Sequence, residues 1–200
     1  VSSTVIRAAT KHIQEPALPK VLTGSGTFVS KVEPAAIAQS IGLFMWGHGH
    51  AFHDLLECRL MLEVQIAELA AERATAEDIQ QLEAVLAQMQ GALAEVHANL
   101  AGLERFVQAD VRFHQILAAA SKNALLPLLL MPISDLLLHF SRQASSLDGA
   151  PESAIRFHNQ LVHAVRVHDS AGCRSVMREH LGEAEKFIDQ MTDDPAGLAY

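Results

Sequence analysis

From Ala35 to about Met191 every segment of this chain repeats its apolar residues at helical spacing. A chain patterned this way can bury its apolar stripes only by packing helix against helix. Local signals divide the pattern. A first helix begins near Pro34 and pauses at Gly47-His48-Gly49, and a long one runs from about Ala51 to Arg73. Thr75-Ala76-Glu77-Asp78 resembles a capping box and opens a helix expected to end near Gly91. Further helices are expected from Leu100 to Ala120, from Ala124 to about Ala144 with a kink at its prolines, and from Pro151 to His168. The last starts at Asp169 or Ser170 and reaches about Met191. The expected fold is all-α, an antiparallel bundle of six to seven helices.

The first residues read differently. Val1 to Gln14 has the spacing of a short helix that Thr4 can cap, and Pro16 and Pro19 stop it. Lys20-Val21-Leu22 and Thr27-Phe28-Val29 flank a Gly-rich turn, which predicts a small β-hairpin. Three regions follow: 1–33, a linker and helix over 34–49, and the bundle over 50–192. Residues 1–33 carry four basic groups against two acidic, whereas the remainder carries eleven against twenty-one. With a net charge of −8 the chain as a whole is unsuited to coating nucleic acid, so phosphate contact is expected at the head alone. Cys58 and Cys173 form no CxxC pair and are expected as reduced core residues of a cytoplasmic protein. The most apolar run, Ala124 to Ile133, contains Pro127 and Pro132 and is too short to span a bilayer, so no membrane is expected.

The chemistry is carried by ionisable side chains inside apolar stripes. Asp110 and His114 lie four residues apart on the face marked by Phe106, Phe113 and Leu117. His158 lies on the face of Ile155, Leu161 and Val165, and His180 among Met177, Leu181 and Ala184. Each alone is compatible with a hydrogen-bonded core residue. Together, one carboxylate and three imidazoles make a familiar donor set for a divalent transition metal, with zinc and nickel both compatible. His163 falls on the rim, and His48, His50 and His53 crowd a junction. Arg59 falls on an apolar face and must meet an anion, either Glu57, Glu63 or another helix's carboxylate within the protein, or a bound acid. There is no HExxH, and no further inward carboxylate placed as a general base is expected.

Leu56-Glu57-Cys58-Arg59 through Leu62-Glu63, Asp110-Val111-Arg112-Phe113-His114 followed by Ala119-Ala120-Ser121-Lys122-Asn123, and Met177-Arg178-Glu179-His180-Leu181 resemble the signatures of the FadR-type C-terminal domain of GntR regulators. The resemblance implies a helical effector-binding domain whose metal ligands are Asp110, His114, His158 and His180, with Arg59 and Asn123 lining the effector cavity. Residues 1–33 resemble the second half of a winged helix. That likeness implies a recognition helix over Val1 to Arg7, a wing over Gly24 to Val29, and DNA contacts at Thr4, Arg7 and Gly26. Ser3 and Ser25 stand where basic residues are usual, and without the helices that precede it in the family this recognition helix would lose most of its packing surface. The implied function is a ligand-responsive regulator, a repressor more often than not, which senses a small carboxylate at its metal and works as a homodimer on operator DNA. The rivals are a metalloenzyme and a structural metal site in an interaction module.

Overall fold

The computed structural model describes residues 19–22, 26–29, 34–46 and 51–192, and the side chains within 37–43 and 53–190. Two compact units divide the chain, residues 1–48 and 49–200. In the first, β1 (Pro19–Leu22) and β2 (Gly26–Val29) pair antiparallel, with Lys20 opposite Phe28. The helix α1 spans Pro34–Trp46. The helix expected over Val1 to Gln14, and with it Thr4 and Arg7, lies outside the described residues, as do His48 and His50.

The second unit is a bundle of six helices: α2 (Ala51–Arg73), α3 (Ala76–Val96), α4 (Leu100–Ala120), α5 (Leu125–Ala144), α6 (Ala150–Arg166) and α7 (Ser170–Thr192). Connections of two to five residues join them; α3–α4, α4–α5 and α6–α7 pack as chain neighbours, whereas α2 packs chiefly on α7 and α4. The caps follow local chemistry. Thr75 and Asp78 form a reciprocal capping box at α3. Asn99 Oδ1 accepts from Gly102 N at α4, and Asp169 Oδ1 accepts from Gly172 N at α7. Gly149, at φ 84, occupies the left-handed region just before α6, where a residue without Cβ is needed.

Helix α2 is the hub, packing on α4, α5, α6 and α7. Its inward side is Ile66, Ala67, Ala70 and Ala71, all fully buried, and the alanines let neighbouring helices come close. Phe106, Phe113 and Leu117 from α4, Leu161 and Val165 from α6, and Met177 from α7 complete the core. Three sequence expectations change. Helix α3 does not end near Gly91 but continues to Val96. Burying Met89, Ala92 and Val96 outweighs the roughly 1 kcal/mol that a mid-helix glycine costs. Cys58 is exposed rather than in the core, because it sits on the outer face of α2, whereas Cys173 is buried. Finally, α5 runs unbroken through Pro132 to Ala144, which makes it long and apolar enough to cross a membrane by length and composition. Here it packs on α4, with Leu130, Ile133 and Leu137 buried.

Two glycines give opposite expectations. A Cβ on Gly102 would lie 2.2 Å from the Glu95 carbonyl oxygen, so the α3–α4 turn must shift. Gly102→Ala should lower the unfolding free energy by about 1–3 kcal/mol. Nothing lies within 4 Å of a Cβ on Gly91, and Gly91→Ala should raise it by about 0.5–1 kcal/mol. Urea titration measures both, and a stabilised Gly102→Ala protein would refute the packing described. Burial also pushes the Cys173 thiol up to about 12. A thiol reagent at mildly alkaline pH should therefore modify Cys58 alone in the folded protein and both cysteines after unfolding.

Candidate metal centre

Three helices converge on one point. Asp110 and His114 project one turn apart from α4, His158 from α6 and His180 from α7, and one donor atom from each lies within 4.8 Å of all the others. The histidines are buried and Asp110 is partly so. His158 Nε2 is 3.1 Å from His180 Nε2 and 3.6 Å from Asp110 Oδ1. Metal–nitrogen bonds of about 2.0–2.1 Å place neighbouring nitrogens about 3.0 Å apart around an octahedral ion and about 3.3 Å apart around a tetrahedral one, so the observed spacing suits a shared cation. The His158 ring lies flat on Phe113 with centroids 4.0 Å apart, which fixes its plane.

The outer ring nitrogens are held in ways that turn the inner ones toward the centre. His158 Nδ1 lies 3.2 Å from Met89 Sδ, a weak acceptor. His114 Nδ1 donates to Glu63 Oε2, and its Nε2 is the one buried side-chain atom among the described residues that has no hydrogen-bond partner. A carboxylate behind the imidazole and a bare Nε2 in front is the arrangement that orients metal-ligating histidines. Glu63 is completely buried, and its other oxygen accepts from Arg59 Nε at 2.7 Å. Burial works to raise the Glu63 carboxyl, but the charges of His114 and Arg59 overcome it and hold the group at about 2. Burial drives the His158 imidazole well below its ordinary value and His180 down to about 3, with neighbouring His114 acting the same way on both. Both rings are thus neutral, as metal ligation requires. The Asp110 carboxyl is raised, burial outweighing the pull of His114 and Arg59. The four donors could hold a metal ion, and the unpartnered His114 Nε2 is what such an ion would satisfy.

Beside this centre opens a cleft of about 520 Å³ counting its mouth, lined among others by Arg59, Asp110, His180 and Glu183. Arg59 uses only Nε on Glu63, and its two Nη groups make no hydrogen bond to the described protein. Glu57 is exposed and is not its partner.

The FCD domain family matches residues 54–183, most of the bundle. The HTH-type transcriptional regulator LutR of Bacillus subtilis (strain 168) is 29% identical over 193 residues, covering 94% of this chain and 85% of that protein. This chain is an FCD-domain regulator of the GntR family. A galactonate operon transcriptional repressor of Escherichia coli (strain K12) is 29% identical over 137 residues, 68% of this chain and 57% of the relative. Among solved structures, Streptococcus agalactiae GntR superposes with a TM-score of 0.70 at 26% identity, over 93% of this chain and 82% of the other. E. coli McbR/YncC, at 19% identity over 96% of this chain and 82% of its own, shares the fold with a TM-score of 0.59. The relatives in sequence are transcription regulators rather than enzymes.

Within this FCD domain the four metal candidates meet, and Arg59 stands beside them at the cleft. Asn123 does not. It is exposed at the α4–α5 turn, where its Oδ1 accepts from Leu125 N and starts α5. His163 is exposed, as expected from its position on α6, and His53 is exposed too. Gly26 begins β2, opposite Leu22. The residue whose full part the sequence did not reveal is Glu63. Glu63 was one of the expected salt-bridge partners of Arg59 and is paired with it, four residues on and on the face continued by Ile66, Ala67 and Ala70; its second contact, behind His114, was not foreseen. That spacing was the available signal. Both Glu63 oxygens are engaged, so it positions His114 and is not free to take a proton as a base.

Replacing the carboxylate by its amide removes the charge behind His114 while keeping the shape. Glu63→Gln should weaken zinc binding about 10–100-fold, measured by competition with a chromophoric chelator. Unchanged zinc affinity in a folded variant would show that the contact does not orient the ligand.

Proposed function

We propose that this FCD regulator senses a small carboxylic acid at a divalent cation held by Asp110, His114, His158 and His180. The observation that carries the reading is the juxtaposition of three converging imidazoles with an open cleft bordered by Arg59, whose Nη groups make no hydrogen bond among the described residues. Four protein donors leave an octahedral ion with open positions, and a carboxylate can fill one while pairing with the guanidinium. Zinc suits this nitrogen–oxygen set, and nickel is the competitor that availability decides. The metal here serves recognition. Glu63, the carboxylate behind His114, has both oxygens engaged and is not free to act as a base beside the metal.

The ligand acts through its different affinity for two arrangements of the bundle. Residues 50–192 form the sensing domain, 34–49 pass the preference on, and 1–33 supply the DNA-reading part through Thr4, Arg7 and Gly26 of a winged helix. The hairpin of β1 and β2 is compatible with its wing. A cytoplasmic homodimer presents two such readers to an operator of two half-sites, and the ligand changes their spacing. Repression relieved by ligand is the proposed sign, in keeping with the repressor named among the relatives.

Elemental analysis with native mass spectrometry should find about one zinc or nickel per chain. Titration calorimetry of the zinc-loaded protein should then detect one small monocarboxylic acid per site. Measured on protein that native mass spectrometry shows still to carry its cation, Arg59→Ala should weaken that acid about 10–100-fold. Tight acid binding by metal-free protein, or an undiminished affinity in Arg59→Ala, would defeat the proposal. Turnover of the acid would defeat it in favour of an enzyme.

A further inference from the structure

Each of the three converging imidazoles has a different neighbour behind it. His114 donates to the Glu63 carboxylate, and His180 borders the open cleft. His158 is fully buried, and what lies behind its Nδ1 is the thioether of Met89, 3.2 Å away. Metal-ligating histidines ordinarily give that outer N–H to a carboxylate, a carbonyl oxygen or water, which fixes the tautomer and makes the ring a better donor. A thioether sulfur accepts weakly and does less of both.

Met89 is out of pattern on its own helix. It lies on α3, which supplies none of the four candidate ligands. The other buried side chains of α3, Leu82, Val85, Leu86, Ala92 and Val96, are pure hydrocarbon. The Met89 sulfur is thus the one side-chain acceptor on that buried face, and it meets the ring that is walled off from water. Without it, a buried N–H at His158 Nδ1 would lack a partner, which costs free energy. The proton would then be better placed on Nε2, where His180 Nε2 lies 3.1 Å away. A proton there occupies the lone pair that a cation needs. The plane of the ring is set separately, by its stack on Phe113 with centroids 4.0 Å apart and planes within 8°. Phe113 therefore places the ring, and Met89 decides which nitrogen is bare.

We propose that Met89 is a positioning residue of the metal centre: its sulfur holds His158 in the tautomer that presents Nε2 to the cation, yet leaves that ring a weaker donor than His114. The affinity for the cation is in this way set below what an oxygen acceptor at the same position would give. The inference rests on the cation reading above and concerns only how tightly the ion is held.

The test measures zinc affinity of the full chain by competition with a chromophoric chelator, in the parent and in two variants at this one position. Met89→Leu keeps the bulk and removes the acceptor, and should weaken zinc about 3–10-fold, less than the 10–100-fold typical of losing a strong acceptor. Met89→Gln brings a carbonyl oxygen to the same ring nitrogen and should tighten zinc about 3–10-fold. It should do so although its buried NH2 group lacks a partner and lowers the unfolding midpoint. NMR of the ring nitrogens in metal-free protein should show the His158 proton on Nδ1 in the parent and shared between both nitrogens in Met89→Leu. A residue that serves packing alone would move both variants in the same direction and leave the tautomer alone. Either of those results overturns the inference while the cation reading stands, and if Met89→Gln does not fold, Met89→Leu with its tautomer readout still decides. A parent protein that binds no zinc overturns both.

Discussion

A single buried carboxylate ties the sensing domain together. Glu63 is wholly enclosed, and one of its oxygens holds Arg59 while the other holds His114. A buried carboxylate with one partner is a liability, and removing either neighbour here would leave charge uncompensated in the core, a loss of about 3–5 kcal/mol. With both partners present it does two things at once. It fixes the tautomer of His114 so that Nε2 faces the metal centre, and it pins one edge of the guanidinium while the other edge borders the cleft. The candidate metal centre and the cleft beside it therefore share a component.

The bundle around Glu63 explains how that component stays put. Its helix, α2, is the one that packs on four others, and the run Ile66, Ala67, Ala70, Ala71 lets them approach. The ligands come from α4, α6 and α7, all of them neighbours of α2, so relative motion of these helices alters the donor spacing directly. Helix α5 is different in kind. It packs on α4 but leaves Leu125 and Leu129 largely exposed, and it provides one wall of the cleft. It is the wall least constrained by burial.

Much of this was legible in the sequence, and the boundary of legibility has physical causes. Helical periodicity identified six bundle helices and the inward faces that carry Asp110, His114, His158 and His180, because burial on one side of a helix leaves a repeat that can be counted. It misjudged the end of α3, because the cost of Gly91 is local and readable whereas the compensating burial of Met89 and Val96 against other helices is not. It left Arg59 between two fates for a related reason: the choice among Glu57, Glu63 and a bound acid depends on rotation about a helix axis by fractions of a turn. The structure shows that the two fates are compatible. Nε serves Glu63, and the Nη groups make no hydrogen bond among the described residues, which leaves them open to the ligand proposed above. Asn123 illustrates the opposite limit, since a position matched by resemblance lies exposed in the α4–α5 turn, its Oδ1 accepting from Leu125 N.

If a carboxylate binds beside a cation as proposed, the shared use of Glu63 has a thermodynamic consequence for sensing. Binding of a cation withdraws electron density from the His114 ring and strengthens its Nδ1–H donation to Glu63. A carboxylate docking on Arg59 draws the guanidinium the other way, weakening its hold on the same anion. The two ligands therefore act on one buried charge from opposite sides. Where a single group mediates both equilibria, each ligand must change the other's affinity by the same factor. The ligand's direct bond to the cation favours joint binding, and competition for Arg59 opposes it. The balance makes the response depend on where the carboxylate sits between metal and guanidinium, a distance fixed by how far the rest of the acid reaches along α7. The reach of the acid along α7 would thus govern signalling as well as affinity, through the same few ångströms of cleft.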